Sequence, residues 1–118
     1  MAGEKIGYVY SAYAGADHTG KEGCGVVISG GADGLPTVSI ATAGVKIDGV
    51  ILRGEVKDAT DRVAKEGIVM MVVGTAIGAA GEVEIDGNGA IITKTTGVAI
   101  GKVFAAADAG DIVPVFLY

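Results

Sequence analysis

Glu82-Val-Glu-Ile-Asp86-Gly-Asn-Gly89-Ala-Ile-Ile-Thr-Lys94 is the stretch that decides the fold class. Acidic and apolar residues alternate from Glu82 to Asp86, which sets Val83 and Ile85 on one face of an extended chain. Asp86-Gly-Asn-Gly89 supplies residues that accept the positive φ of a tight reversal, and Ala90 to Lys94 returns as the second strand of a hairpin. Upstream, Ile68 to Val73 is a run of β-branched residues and Met that reads as a fully buried strand. The longer apolar stretch Gly67 to Gly81 is fenced by Glu66 and Glu82 and falls short of the ~20 residues a membrane helix needs. Downstream come the strand pattern Val98 to Val103, a small Ala-rich piece, the turn Asp108-Ala-Gly-Asp111 and a terminal strand from Ile112 to Leu117. Pro114 has no N–H to give a ladder and fits only an edge, a strand start or a bulge, which places that last strand at a sheet boundary.

The N-terminal half carries the same punctuation. Lys5 to Tyr13 has no helical stripe and reads as an edge strand or an extended arm. A polar, Gly-rich loop from Gly15 to Gly25 leads to the short strand Val26 to Ile28, the turn Gly30 to Gly34, and the alternating strand Thr37 to Ala41 after Pro36. Val45 to Val56 is a β pattern around the turn signal Asp48-Gly49. Glu55 to Glu66 has the charge of a helix but only a thin apolar stripe of Val56, Ala59, Val63 and Ala64, and a strand through Arg62-Val63 fits equally well. Strand patterns that recur about every ten residues point to a sandwich or small barrel. The expected fold is all-β: one domain over 1–118, a small Gly-rich β-barrel or β-sandwich with short hairpins and at most one short helix, with 1–13 as an N-terminal arm or edge strand.

Composition narrows the function. Half of the 118 residues are hydrophobic and mean hydropathy is +0.53, which excludes disorder as the main state. Aromatics are only 5% with no Trp, so Val, Ile and Ala must fill the interior; the 21 glycines are scattered as turns without a collagen period. A net charge of −5 and a pI near 4.6 argue against a nucleic-acid partner, which needs clustered Lys and Arg. The lone Cys24 excludes an internal disulfide and a multi-cysteine zinc site, and reads as a small buried or turn residue. Met1 to Tyr13 lacks the pattern of a signal peptide, so export is not expected, and with the longest apolar stretch too short to span a bilayer no membrane partner is expected.

Residues for chemistry are few. His18 lies between Asp17 and Thr19 and six residues from Cys24; in a Gly-rich loop it reads as a solvated residue and not as half of a Cys-His pair. Asp86-Gly-Asn-Gly89 lacks the later oxygen ligands and closing Glu of a calcium loop. The Gly-x-Gly pairs at Gly23 and Gly87 lack the third glycine and the following helix of a dinucleotide site. No catalytic, cofactor or metal site is expected, and the chain reads as a structural or binding protein. A weak internal repeat lays Gly74 to Ile85 beside Gly97 to Gly101 joined to Ala109 to Val115, as two similar β-corners.

Two resemblances follow from the motifs. Ala43-Gly-Val-Lys-Ile-Asp-Gly-Val-Ile-Leu-Arg-Gly-Glu-Val56 resembles the β-hairpin segment of the trimeric dUTPase family over about 14 residues, but the Tyr of that family's Ile-Asp segment and its Gly-Arg-Ser-Ser motif are absent. Val72-Val-Gly-Thr-Ala-Ile-Gly-Ala-Ala-Gly-Glu-Val-Glu-Ile-Asp-Gly-Asn-Gly-Ala-Ile91, Gly97-Val-Ala-Ile-Gly-Lys-Val103 and Ala105-Ala-Ala-Asp-Ala-Gly-Asp-Ile-Val-Pro-Val-Phe-Leu117 together resemble the capsid cement, or head decoration, proteins of tailed bacteriophages. The match covers Val69 to Tyr118, and the first half only in style. It implies a protein of the virion that is made in the host cytoplasm, coats the outer surface of the expanded head as a homotrimer, and bridges subunits of the major capsid protein. Tyr8, Tyr10 and Tyr13 stand out in a chain poor in aromatics and are the expected capsid contact, with packing on the protein's own core as the other reading. A small trimeric dUTPase-like enzyme or ligand-binding module, or another phage part such as a tail or fibre, are the alternatives.

Overall fold

The computed structural model describes residues 5–118, which form strands and no helix. In chain order these are β1 (Lys5–Ala14), β2 (Gly25–Ala32), β3 (Leu35–Ile40), β4 (Gly49–Arg53), β5 (Thr60–Val72), β6 (Gly81–Ile85), β7 (Ile91–Thr93), β8 (Gly101–Val103) and β9 (Ile112–Leu117). They hydrogen-bond in the order β1-β3-β2-β4-β5-β9-β8-β6-β7, and β1 also pairs with β5. That extra pairing closes β1, β3, β2, β4 and β5 into a five-stranded barrel, from which β9, β8, β6 and β7 continue the same sheet. The all-β expectation holds.

The barrel is antiparallel except where β1 and β3 meet in parallel. Its lumen holds Ala12, Val26, Val38, Ile51 and Val63, with Tyr10 and Ile40 packed against them. A barrel's width scales with strand number, so five strands leave room for little more than small branched side chains. A chain rich in Ala, Val and Ile meets that limit. The second core is larger: Val50 and Ala64 on the barrel's outer wall pack with Val69, Met71, Val83, Ile85, Ile91, Ile100, Val103 and Val115 of the extension.

β5 serves both cores and changes face between them. Val63 points into the lumen and Ala64 into the second core. An unbroken period of two would return Val69 and Met71 to Val63's side, yet both lie in the second core. One inserted residue resolves this. Pairing steps from Val9 opposite Ala64 to Tyr8 opposite Glu66, which leaves Lys65 as a bulge, and Lys65 and Glu66 are both exposed. Gly67 follows at φ 100°, a conformation that L side chains rarely adopt.

The decisive hairpin forms as expected, with Val83 opposite Thr93 and Ile85 opposite Ile91. Asp86 holds its turn by accepting from the N–H groups of Asn88 (2.7 Å) and Ala90 (3.1 Å). The Gly30 to Gly34 turn is tighter than its composition suggests: β2 runs on to Ala32, and Asp33 and Gly34, both at positive φ, make the reversal. Glu55 to Glu66 is a turn followed by strand; of the thin apolar stripe, Val56 is exposed in the turn and only Val63 and Ala64 are buried, on opposite faces of β5.

Other expectations need correction. Asp48-Gly49 is not a hairpin turn. Asp48 N–H donates to the Val26 carbonyl and its carboxylate accepts from Ile28 N–H, so Asp48 is bound to β2 and only Gly49–Arg53 forms a strand. The segment that carried the dUTPase likeness therefore has a different structure from that hairpin. Ile68 to Val73 is not buried on both sides but alternates, with Val69 and Met71 inside and Ile68, Met70 and Val72 half-exposed. Pro114 lies in a strand that is internal by order, between β5 and β8, but the pairs with β8 begin only at Phe116. Its missing N–H therefore falls on a locally open edge.

The two β-corners pair with each other. Ile77 and Ala107 exchange both backbone hydrogen bonds, at 2.8 and 2.9 Å, while Val73 bonds Asp111 and Gly110 in the same way at 2.8 and 2.7 Å.

Candidate docking surfaces

β1 carries the tyrosines. Residues 1–4 of the expected arm lie outside the described residues, and Lys5–Ala14 is barrel strand β1. β1 pairs with β5 along its length but meets β3 only at Tyr13–Thr37 and Ala14–Val38. Before that point the two strands diverge. A groove of about 350 Å³ fills the gap, lined by Tyr8, Tyr10, Ile28, Leu35, Pro36 and Asp48 among others. Tyr8 is 51% exposed, and its ring lies 6.2 Å from that of Tyr10 at a 32° tilt. Tyr10 is half-buried, donates its hydroxyl to the Asp48 carbonyl (3.0 Å), and packs on the lumen core. Burial, then the Asp48 charge, then Tyr8 push its phenol up to about 12, so it stays a neutral donor. Tyr13 sits three residues beyond Tyr10, on the other face of the strand. The structure thus joins Tyr8 and Tyr10 at one groove and leaves Tyr13 apart from it.

A second surface escaped the sequence reading. On the outer face of the β5–β9 ribbon, Ile68 stands opposite Phe116, Met70 opposite Pro114 and Val72 opposite Ile112. Ile112 is 58% exposed and Phe116 42%. Phe104, 63% exposed, meets Phe116 edge-on with ring centroids 4.7 Å apart. Tyr118 adds a further exposed ring, whose hydroxyl donates to the Glu82 carboxylate at 2.6 Å; that bond raises the Tyr118 phenol above its ordinary value. Lys102, paired with both Phe116 and Glu82, borders the face. The run Ile68 to Val73 is apolar on both sides, and a period-two signal vanishes where both faces are apolar.

His18 is the third departure from the sequence reading. It is fully buried, not solvated, and its Nδ1 lies 2.5 Å from Asp61 Oδ2. Asp61 shares Val63's phase and so enters the end of the lumen. Its other oxygen accepts from Glu55 N–H at 2.8 Å, and His18 N–H donates to the Glu55 carbonyl at 2.8 Å. The pair clasps the Gly15 to Gly25 loop and the turn before β5 onto the barrel end. A β-carbon at Gly54 would run into the His18 carbonyl, so glycine is required there for the closure. Among the described side chains His18 Nε2 finds no hydrogen-bond partner. Cys24 is buried as expected, and desolvation raises its thiol above the ordinary value, which suits a packed thiol more than a nucleophile. Among the described residues no three His, Cys, Asp or Glu side chains group as metal ligands.

The fold has a solved counterpart. The head fiber gp8.5 N base of bacteriophage phi29 is similar to this chain with a TM-score of 0.79, over 94% of this chain and 93% of that one, at 16% sequence identity. At that identity the likeness is one of fold. No family model and no curated protein matches the sequence.

Proposed function

We propose that this protein is a structural component of a phage head that docks on the outer surface of the expanded shell, as a cement or decoration protein in contact with the major capsid protein. The observation that carries the reading is the end-to-end fold likeness to a phage head fiber base, in a chain whose C-terminal half independently resembles head decoration proteins. The surfaces are compatible with a mechanical role. Two exposed sites are present, the mixed groove of Tyr8 and Tyr10 and the apolar face of the β5–β9 ribbon.

The tyrosine groove is the proposed shell contact. Tyr8 and Tyr10 offer rigid rings with polar tips beside the Asp48 and Lys65 side chains, the mixed character of a docking site that forms on an already folded partner. A homotrimer at a repeated lattice site would multiply a modest affinity per copy. The fiber base offers a second reading, in which this chain is the foot of a longer head appendage; it too requires binding to the head.

Cosedimentation with expanded, undecorated heads, with unexpanded proheads as control, tests the proposal. Saturable binding to expanded heads at a simple ratio to the major capsid protein is the expected result. Binding to tails alone, or to neither shell, would overturn it.

A further inference from the structure

We infer that the outer face of the β5–β9 ribbon is the contact between copies of this chain, which leaves the tyrosine groove free for the shell. The inference deepens the proposed function, but its first test does not need the head.

The chemistry of the face selects its occupant. Six side chains in three cross-strand pairs, Ile68–Phe116, Met70–Pro114 and Val72–Ile112, are all apolar, and Phe104 and Tyr118 enlarge the patch. With about 200 Å² for a whole aromatic side chain, the exposed fractions amount to roughly 600 Å² of largely apolar surface. Soluble monomers rarely leave so large a contiguous patch in water. Two copies meeting here would remove on the order of 1,200 Å², the lower bound of a specific interface. The three cross-strand pairs carry no charge, and Glu22 lies beside Met70 and Ile112; an interface with an apolar centre resembles those between like subunits more than those of transient partners. The tyrosine groove, with a carboxylate and an ammonium on its walls, has the opposite character.

Two features fit the face to itself. A hollow of about 170 Å³ lies beside Pro114, between Phe104 and Val113, where the β8 pairing stops short. It suits one apolar side chain, and the face presents Ile112 and Phe104 as such projections. The border carries both signs of charge, Lys102 next to the Glu82 that Tyr118 already engages. A second copy carries the same two signs, so a rotation that sets Lys102 of one copy against Glu82 of the other is open to it, whereas a partner of one sign would leave half of the rim opposed.

Sedimentation velocity on the full chain tests this, with Phe104→Asp and Ile112→Lys as separate variants. Both sites are exposed, and circular dichroism checks that each variant folds. The wild type should sediment as a dimer or trimer at tens of micromolar, and each variant should weaken self-association by about tenfold or more. Tyr8→Ala should keep the wild-type assembly. A wild type that stays monomeric up to about 100 µM, or folded variants that assemble as it does, would overturn the inference. Head binding separates the two claims. If the wild type is monomeric and Phe104→Asp loses head binding, the face belongs to the shell; the inference fails and the proposed function stands. Assembly through this face without head binding would leave the inference intact and remove the proposed function.

Discussion

The two halves of β5 solve opposite problems with the same strand. From Thr60 to Ala64 it is a barrel stave, with Asp61 and Val63 turned to a narrow lumen, Ala64 set in a second core, and Thr60 and Arg62 exposed. From Ile68 to Val72 one side packs on that second core, and the other presents half-buried apolar side chains, with Gly23 against Val72 and exposed Ile112 and Phe116 across the ladder. The Lys65 bulge and Gly67 separate the two regimes. A single strand thus ties a self-contained barrel to a sheet that is finished on one face only, and the unfinished face is where a partner belongs.

The largest expected effect lies at the barrel end. Asp61→Ala leaves His18 and the Glu55 N–H buried without their acceptor, and removing one member of such a buried pair costs about 3–5 kcal/mol. Urea unfolding should show this loss; a change below 1 kcal/mol, on the order of a surface substitution, would mean that the clasp contributes little. Next comes the junction. Gly67→Ala places a β-carbon at φ 100° and should cost about 1–3 kcal/mol, with hydrogen exchange rising on both sides of the bulge. If exchange rises in the barrel alone, the strand does not couple the two halves.

A smaller contrast separates the cores. Val63→Leu overfills a five-stranded lumen and should cost about 1–3 kcal/mol, whereas Met71→Leu in the wider second core should stay under about 1.5 kcal/mol. Equal costs would break the comparison. The mildest effect is one of pH. Glu84 in β6 is buried, and its carboxylate accepts from Thr95 N–H, Gly97 N–H and the Thr95 hydroxyl. The Thr95 backbone bond, foremost among these, holds its pKa below the ordinary glutamate value. A depressed folded pKa gives stability that is present above the unfolded value and lost as pH falls through the folded one. The wild type should therefore lose more stability than Glu84→Gln as pH drops below about 4.3. Parallel curves would remove Glu84 from the account.

What was legible in the sequence was local. The β6–β7 hairpin, the terminal strand and the turn at Asp86 each rest on residues a few positions apart, and each appears where its spacing places it. What was hidden depends on distant partners. His18 reads as a loop residue until Asp61, 43 positions away, comes within hydrogen-bond reach. Asp48 reads as a hairpin turn until Ile28 N–H binds its carboxylate. The open apolar face was hidden for another reason: strands apolar on both sides give no period by which to tell the inside from the outside. Of the tyrosines, Tyr8 and Tyr10 converge on one groove, and Tyr13 was grouped with them by composition alone.

A reconstruction of expanded heads incubated with the protein tests the central claim most directly. The account predicts added density on the outer shell in clusters of touching copies, with the β5–β9 ribbons turned toward one another and the groove of Tyr8 and Tyr10 against the major capsid protein. Heads that remain bare at saturating protein would contradict it.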